Sequence, residues 1–446
     1  MGAVLNQLPL YKYEEVMKLS KFNVLIPYKK SVIVYNTLWN SFVLVKKDSG
    51  LLDYISGKKN LNDNITDFPS VLMEKKIVHC DDFNEIEHIQ TIMTNQICDK
   101  KILTLIVMPT LGCNFKCWYC YENHDVERKR MSDQDIDLII KYIQKHIQEN
   151  PVLETVVISF FGGEPFLYFK EVMKPLLVKI DEITTQNHIN YLTTATTNGA
   201  LVKPNYLDFL KKHHFESMQI TLDGNKKRHN RVRFAYPGDN SYDVIVKNIK
   251  DSIQAGIQIY LRFNISEHTK LDVHQILGDF QDVNNKELLL FSVHKIWQSK
   301  QEVNNTVDSI VAEIRKSGYQ CFSYFSTPSS IWNMCYADKD NEIIVMPGSK
   351  VYKCTARDFS KEQMEGMIND NGKIIWTEKN AKRRQTSVFN NKACMKCSIM
   401  PICIGGCRQK QIEHNDNNTC VSHMDEIAKV EYARRVFMDR LEMSHS

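Results

Sequence analysis

Three cysteines in the stretch Cys113-Asn114-Phe115-Lys116-Cys117-Trp118-Tyr119-Cys120 constrain this chain more than any other feature. They follow closely on an apolar run over residues 102–108 that reads as a strand. At C-x-x-x-C-x-x-C spacing, three thiols can wrap one face of a small inorganic cluster. Three ligands suit a four-iron cluster with one iron left free, whereas a closed structural zinc site takes four. The competing readings are a fragment of a zinc site or unrelated buried thiols, because short cysteine spacings recur by chance.

A chain of 446 residues is too long for one ordinary core, so two or three domains are expected. Hydrophobic content of 43% and charged content of 25% describe a soluble globular protein. A net charge of +4 lacks the concentrated basic face that nucleic acid needs, so no nucleic-acid partner is expected. No apolar run approaches the ~20 residues that span a bilayer, so no membrane partner is expected either. The opening MGAVLNQLPLYKYEEV lacks the parts of a secretory signal. Asn6 stands where a myristoylation motif carries Ser or Thr. The expected location is cytoplasmic. Clustered thiols in a reducing compartment hold metal more often than they form disulfides. Of thirteen cysteines, Cys80, Cys98 and Cys321 stand outside two groups, one around Cys113 and one from Cys335 to Cys420.

Residues 1–100 form a first domain. Residues 22–26 and 31–36 read as a hairpin, with a further strand over 39–45, short helices over 51–56 and 70–74, and a returning strand over 75–78. This α+β unit resembles the peptide-binding RiPP recognition element, which implies binding of a leader peptide, and its competing reading is a plain cap over the next domain. Residues 101–320 form a second domain in which strands alternate with helices. Strand candidates cover 102–108, 155–160, 189–196, 217–222, 257–265 and 287–293. Over 133–148, Ile136, Ile139, Ile140, Ile143 and Ile147 share one helix face, and Ser132 with Asp135 supplies an N-cap. Six such units predict an α/β fold with a parallel sheet, a partial (β/α)6 TIM-like barrel. Residues 321–446 form a cysteine-rich third domain that ends in a helix over 424–443.

In parallel α/β barrels the chemistry collects at the C-terminal ends of the strands. There the sequence places the cysteine loop, then Phe161-Gly162-Gly163-Glu164-Pro165, Thr197-Asn198-Gly199 and Thr221-Leu222-Asp223-Gly224, with Asn264 and His294 at the last two ends. Glycines let backbone approach a ligand closely, and a carboxylate accepts hydrogen bonds from an amino group. In the tail, Cys394-x-x-Cys397, Cys403 and Cys407 are followed by Cys420 and preceded by Cys335 and Cys354. Four close thiols suit zinc or iron–sulfur alike, but seven are too many for one zinc.

Taken together these motifs resemble the radical S-adenosylmethionine (SAM) enzymes of peptide-maturase type with a C-terminal SPASM, or twin auxiliary cluster, domain. The resemblance covers residues 100–430. It implies that Cys113, Cys117 and Cys120 hold a [4Fe-4S] cluster whose free iron chelates SAM, and that Gly162, Gly163 and Glu164 hold the SAM amino group. Asn198 falls in a later strand motif, Thr221 and Arg233 are implied for the SAM carboxylate and ribose, and Tyr119 stands beside the adenine. Without the resemblance, Arg233 reads as a surface charge and Tyr119 as packing. Two auxiliary [4Fe-4S] clusters are implied, one on Cys394, Cys397, Cys403 and Cys420 and one on Cys335, Cys354 and Cys407. The spacing from Gly348 to Cys354 is one residue longer than is usual in the family, and Cys321 or an open iron could complete the second set.

The implied activity is that of an oxidoreductase that modifies peptides. Reductive cleavage of SAM gives a 5′-deoxyadenosyl radical, which takes a hydrogen atom from a ribosomally synthesised precursor peptide and leads to a thioether or carbon–carbon crosslink. The implied partners are that peptide with its leader, and an external electron donor such as flavodoxin or ferredoxin. Two rival expectations are an anaerobic sulfatase-maturing, formylglycine-generating enzyme and a non-catalytic iron–sulfur electron-transfer or scaffold protein. No general base is identified, since Asp223, His229 and His294 each suit a structural role equally well.

Overall fold

The computed structural model describes residues 10–11, 17–56, 68–120, 129–265, 272–296, 304–323, 330–414 and 416–443. Most of the opening segment that bears on targeting signals lies outside them. The described chain groups into two compact units, and each draws on more than one of the three consecutive segments. One comprises 1–97, 325–335 and 382–446, the other 98–324 and 336–381.

In the first unit the strands are β1 (Leu10–Tyr11), β2 (Met17–Leu19), β3 (Asn23–Tyr28), β4 (Ser31–Asn36), β5 (Ser41–Lys46), β6 (Phe68–Pro69) and β7 (Val78–Cys80). β3, β4 and β5 form an antiparallel meander. Its first turn works because Lys29 adopts a left-handed φ of 48°. The strand expected over 75–78 begins instead at Val78, because Lys76 at φ 54° is still closing the turn after the helix Ser70–Glu74. Inward-facing Val24, Ile26 and Tyr35 of this sheet pack against Ile399, Ile402, Val436 and Phe437. Phe22, Leu38, Ile89 and Met93 pack against Met400 and Ile404. The N-terminal α+β elements and the cysteine-rich tail therefore share apolar cores, which is why contacts join what sequence order separates.

The second unit holds β8 (Ile102–Val107), β9 (Thr155–Phe160), β10 (Asn190–Thr197), β11 (Phe215–Leu222), β12 (Gln258–Ile265), β13 (Leu289–Lys295), β14 (Gln320–Ser323), β15 (Glu342–Met346), β16 (Lys350–Tyr352), β17 (Gly366–Ile368) and β18 (Ile374–Trp376). These make one sheet in the order β14-β13-β12-β11-β10-β9-β8-β15-β16-β17-β18. β8 to β14 run parallel to their neighbours. The six expected strands are all present, and β14 adds a seventh. The alternation of strand and helix stops where expected, yet β15 returns to pair in parallel with the open edge of β8, carrying an antiparallel β16–β18 extension.

Period-2 alternation assigns the faces of the parallel sheet. Leu103, Leu105, Val107, Val156, Ile158, Phe160, Met218, Ile220, Ile259 and Leu261 are buried in the core beneath the helices. The alternate residues, such as Thr104, Ser159, Thr194, Gln219 and Arg262, are only half-buried. The helix Asp133–Glu149 covers the outer face with Ile136, Ile139 and Ile143 fully buried, and a capping box between Ser132 and Asp135 starts it. Cys321 is a buried core residue on β14 whose thiol burial pushes up to about 12. It packs in the core beneath the helices.

Candidate active site

The C-terminal ends of the parallel strands open on a cavity of ≈ 360 Å³, within the range of small-molecule sites. Cys113, Cys117 and Cys120 all line it, together with Tyr119, Gly162, Gly163, Asn198, Thr221 and Arg233. Nine of the residues singled out from sequence thus meet in one space. Burial, with the charge of Glu164 adding to it, pushes the Cys113 thiol up to about 12, and burial also raises Cys117. As free thiols these would stay protonated, so deprotonation has to be driven by a bound cation.

Glu164 stands behind the cavity wall. Its side chain is fully buried and does not line the cavity. One carboxylate oxygen accepts from Phe166 N at 3.0 Å and Thr197 Oγ1 at 2.8 Å, and the other from Asn198 N at 2.8 Å. Its backbone N–H donates to Gly112 O at 2.9 Å, which ties β9's end to the cysteine loop. A carboxylate three times hydrogen-bonded locks the strand ends together. Gly162 and Gly163 are required: a Cβ on Gly163 would stand 2.3 Å from Gly112 O, and one on Gly162, at φ 106°, 2.5 Å from Thr110 O.

Asn198 secures the loop from the next strand, donating to Asn114 Oδ1 at 2.7 Å while its own Oδ1 accepts from Ala200 N at 2.9 Å. On the other side, the Tyr119 phenol donates to Asp223 Oδ2 and accepts from Arg233 Nη1 at 2.7 Å and Asn264 Nδ2 at 3.3 Å. Arg233 also stands 3.7 Å from Asp223 Oδ2, so it is a buried, paired cation and no surface charge. Asp223 Oδ1 and Arg233 Nε remain buried without a hydrogen-bond partner among the described residues. Buried polar atoms left in this state mark a place for a polar ligand.

Of the three candidate bases, His229 is fully buried and its Nδ1 accepts from Asp223 N at 3.3 Å. Burial and Arg233 hold it well below the ordinary histidine value. Burial and Arg262 lower His294 to about 3, and its Nε2 lies 2.7 Å from Ser292 Oγ. Neither is poised as a base near neutral pH. Gln219 and Arg262 line the cavity and were not singled out from sequence. The available signal was their spacing two residues before Thr221 and Asn264, on the same face of a strand.

In the other unit Cys394, Cys397, Cys403 and Cys420 line one small cavity with Lys429. Gly405 stands beside Cys394, with a Cβ site 3.4 Å from its Sγ. Cys407 is exposed and does not line that cavity, and neither does Cys335. Cys354 belongs to the barrel unit. Among the described residues no three His, Cys, Asp or Glu side chains stand in a ready ligand cage; the thiols share cavities that a cluster would fill.

Residues 107–280 match the radical SAM superfamily. The chain is 22% identical to the radical SAM cyclopropyl synthase TigE of Paramaledivibacter caminithermalis, over 84% of this chain and 83% of that protein. It is 20% identical to the cysteine-type anaerobic sulfatase-maturating enzyme of Clostridium novyi, over 72% of this chain and 93% of that protein. Streptococcus suis SuiB, solved bound to its precursor peptide SuiA, shares the fold with a TM-score of 0.53 at 16% identity, over 92% of this chain and 100% of that one. The radical SAM domain brings SAM and a [4Fe-4S] cluster with it, and the three thiols, the glycine-lined wall and the orphaned polar atoms of the cavity fit them. No helix among the described residues is long and apolar enough to cross a membrane. With relatives that are enzymes, the reading as a non-catalytic cluster carrier falls away, and the chain is an enzyme that carries a radical SAM domain over residues 107–280.

Proposed function

We propose that this enzyme matures a ribosomally made precursor peptide, removing a hydrogen atom so that a thioether or carbon–carbon crosslink closes. The observation that carries this reading is the convergence of Cys113, Cys117 and Cys120 with Gly162, Gly163, Asn198, Thr221 and Arg233 on one cavity. Similarity to SuiB, solved with its peptide, and to TigE supports a peptide as substrate.

In this reading the three cysteines hold the cluster, and the Gly162–Gly163 backbone receives the SAM amino group. Thr221 and Arg233 take its carboxylate and ribose, and Tyr119 flanks the adenine. Bound there, cluster and SAM supply one-electron cleavage of SAM and hydrogen-atom abstraction. The protein's part is orientation and exclusion of water. Arg233 is fixed by Tyr119 and Asp223 before any ligand arrives, so little is reorganised on binding. Cys394, Cys397, Cys403 and Cys420 hold one auxiliary [4Fe-4S] cluster, and Cys335, Cys354 and Cys407 contribute to another. The meander β3–β4–β5 offers a sheet edge to which a leader peptide can add as a strand. A flavodoxin or ferredoxin supplies the electron.

A second reading, the formylglycine-generating sulfatase maturase, rests on the similarity to the Clostridium novyi enzyme. One experiment separates the two. Reduced, reconstituted enzyme is incubated with the short peptide encoded beside its gene and, separately, with a sulfatase-derived cysteine peptide. A loss of two hydrogens from the first supports crosslinking. Loss of two hydrogens together with exchange of sulfur for oxygen in the second, with the first unchanged, establishes the maturase of sulfatases.

A further inference from the structure

Trp118 stands in the chain between Cys117 and Cys120, yet its side chain does not line the cavity that those thiols share. It is 64% exposed, and its ring meets that of Tyr119 edge to face at 5.5 Å. Tyr119 does line the cavity, so one aromatic pair reaches from the site to solvent across the cysteine loop. In the same loop Lys116 N–H donates to Phe234 O at 3.0 Å, which sets the 234–236 segment alongside. There Tyr236 is 63% exposed. Two large rings left in water on adjoining loops mark a contact surface, because Trp, Tyr and Arg anchor protein interfaces.

The charge around these rings is mostly of one sign. Residues 113–120 hold Lys116 and no acid, and residues 225–240 hold Lys226, Lys227, Arg228, Arg231 and Arg233 against Asp239. Lys226 pairs with Asp243, Arg228 with Asp272 and Arg233 with Asp223. Asp239 accepts from Ala235 N at 3.0 Å. Lys116, Lys227 and Arg231 are exposed and enter none of these pairs. Lys227 and Arg231, four residues apart, share one face of the helix Lys226–Val232, which leads directly into the 234–236 segment. Exposed aromatic rings flanked by exposed cations complement an acidic protein surface. The loop beneath selects among acidic partners. A cluster there takes up one electron before SAM is cleaved, and electron transfer falls off steeply with distance, so its donor has to dock close to this loop.

We infer that Trp118, Tyr236, Lys116, Lys227 and Arg231 form the docking surface for an acidic one-electron carrier protein of flavodoxin type. The carrier's flavin passes from anionic hydroquinone to neutral semiquinone, and the single electron it loses reduces the cluster, with no proton transferred. This rests on the reading that Cys113, Cys117 and Cys120 hold that cluster.

Reconstituted, SAM-loaded holoprotein is titrated calorimetrically with flavodoxin at low and at high salt. Release of 5′-deoxyadenosine is timed with flavodoxin hydroquinone and, separately, with dithionite. Binding is expected to weaken about ten-fold from about 50 to about 300 mM salt. Lys227→Glu combined with Arg231→Glu is expected to weaken it about ten-fold or more at low salt. The same variant should slow release with flavodoxin and leave release with dithionite as in the wild type. Trp118→Ala is expected to show the same split between reductants. Iron content and Tm report whether each variant is folded and loaded. Should Trp118→Ala lose iron, Tyr236→Ser tests the aromatic part from outside the cysteine loop.

No binding, binding indifferent to salt, or variants that bind flavodoxin as the wild type does overturn the docking surface. Equal slowing with both reductants overturns it too, since it would place these residues in support of the cluster itself. Weaker binding of the precursor peptide, or loss of a dimer of this chain, with flavodoxin affinity unchanged assigns the patch to that occupant and overturns it as well. Absence of 5′-deoxyadenosine with dithionite in the wild type counts against the radical SAM reading of the site. Its presence, with flavodoxin binding untouched by the variants, sinks the docking surface alone.

Discussion

The carboxylate of Glu164, at the end of β9, accepts the backbone N–H of Asn198, at the end of β10, at 2.8 Å. With Thr197 Oγ1 and Phe166 N as its other donors, Glu164 fixes the separation of two strand ends that both face the cavity. Glu164→Ala leaves three donors without their acceptor. A loss of roughly 3 kcal/mol or more in folding stability is expected, read as a drop in Tm or urea midpoint. Glu164→Gln, which sets an amide N–H2 against an N–H donor, should recover only part of it. A variant as stable as the wild type would show that the carboxylate does not staple the strands.

Gly163 tests the close approach of two loops. Its substitution by Ala forces a methyl group against the carbonyl oxygens of Leu111 and Gly112, which are backbone and cannot swing aside. The cysteine loop has to move, and the expected result is a reconstituted protein with about four fewer iron atoms per chain than wild type. Full iron loading in Gly163→Ala would contradict it.

Tyr119 links Asp223, Arg233 and Asn264 through one buried hydroxyl. Tyr119→Phe retains the ring and removes the link, leaving the acid and the cation in a looser pair. SAM affinity, measured by equilibrium dialysis, should weaken several-fold, with a stability loss of about 1–3 kcal/mol. Unchanged affinity would mean that the phenol does not position Arg233.

His294 gives a pH dependence with a definite sign. Burial and Arg262 hold its folded-state value at about 3, against about 6.5 in an unfolded chain. Between those values the unfolded state binds the proton and the folded state does not. Its contribution is therefore complete above the unfolded value and is lost as pH falls. From pH 7 to pH 5 the cost is roughly 2 kcal/mol, and urea midpoints of the metal-free chain should show it. His294→Asn should flatten that slope; an equally steep slope in the variant would assign the acid sensitivity elsewhere.

Lys429 lines the cavity shared by Cys394, Cys397, Cys403 and Cys420. If that cavity holds a cluster, its ammonium group favours the reduced, more negative form. Lys429→Gln should shift the reduction potential of that cluster downward by tens of millivolts in an EPR-monitored titration. A potential that stays put would place the lysine outside the cluster's field.

Chemistry encoded within a few consecutive residues is legible in the amino-acid order alone. The spacing of Cys113, Cys117 and Cys120, the glycines at 162 and 163, and the isoleucine face from Ile136 to Ile147 each depend on local geometry, which the order of residues sets directly. What depends on distant pairing is not legible there. Glu164, which the sequence offers only as an acceptor at a strand end, is a buried staple because Thr197 and Asn198 reach it across two strand ends. The return of β15 to the edge of β8 and the shared core of Tyr35 with Phe437 join segments far apart in the chain. Gln219 and Arg262 reach the cavity wall only because strand alternation turns them to its side. Sequence specifies which groups are available and how near neighbours are spaced; burial, field and partnership arise only when the backbone closes, because they are properties of the space between strands.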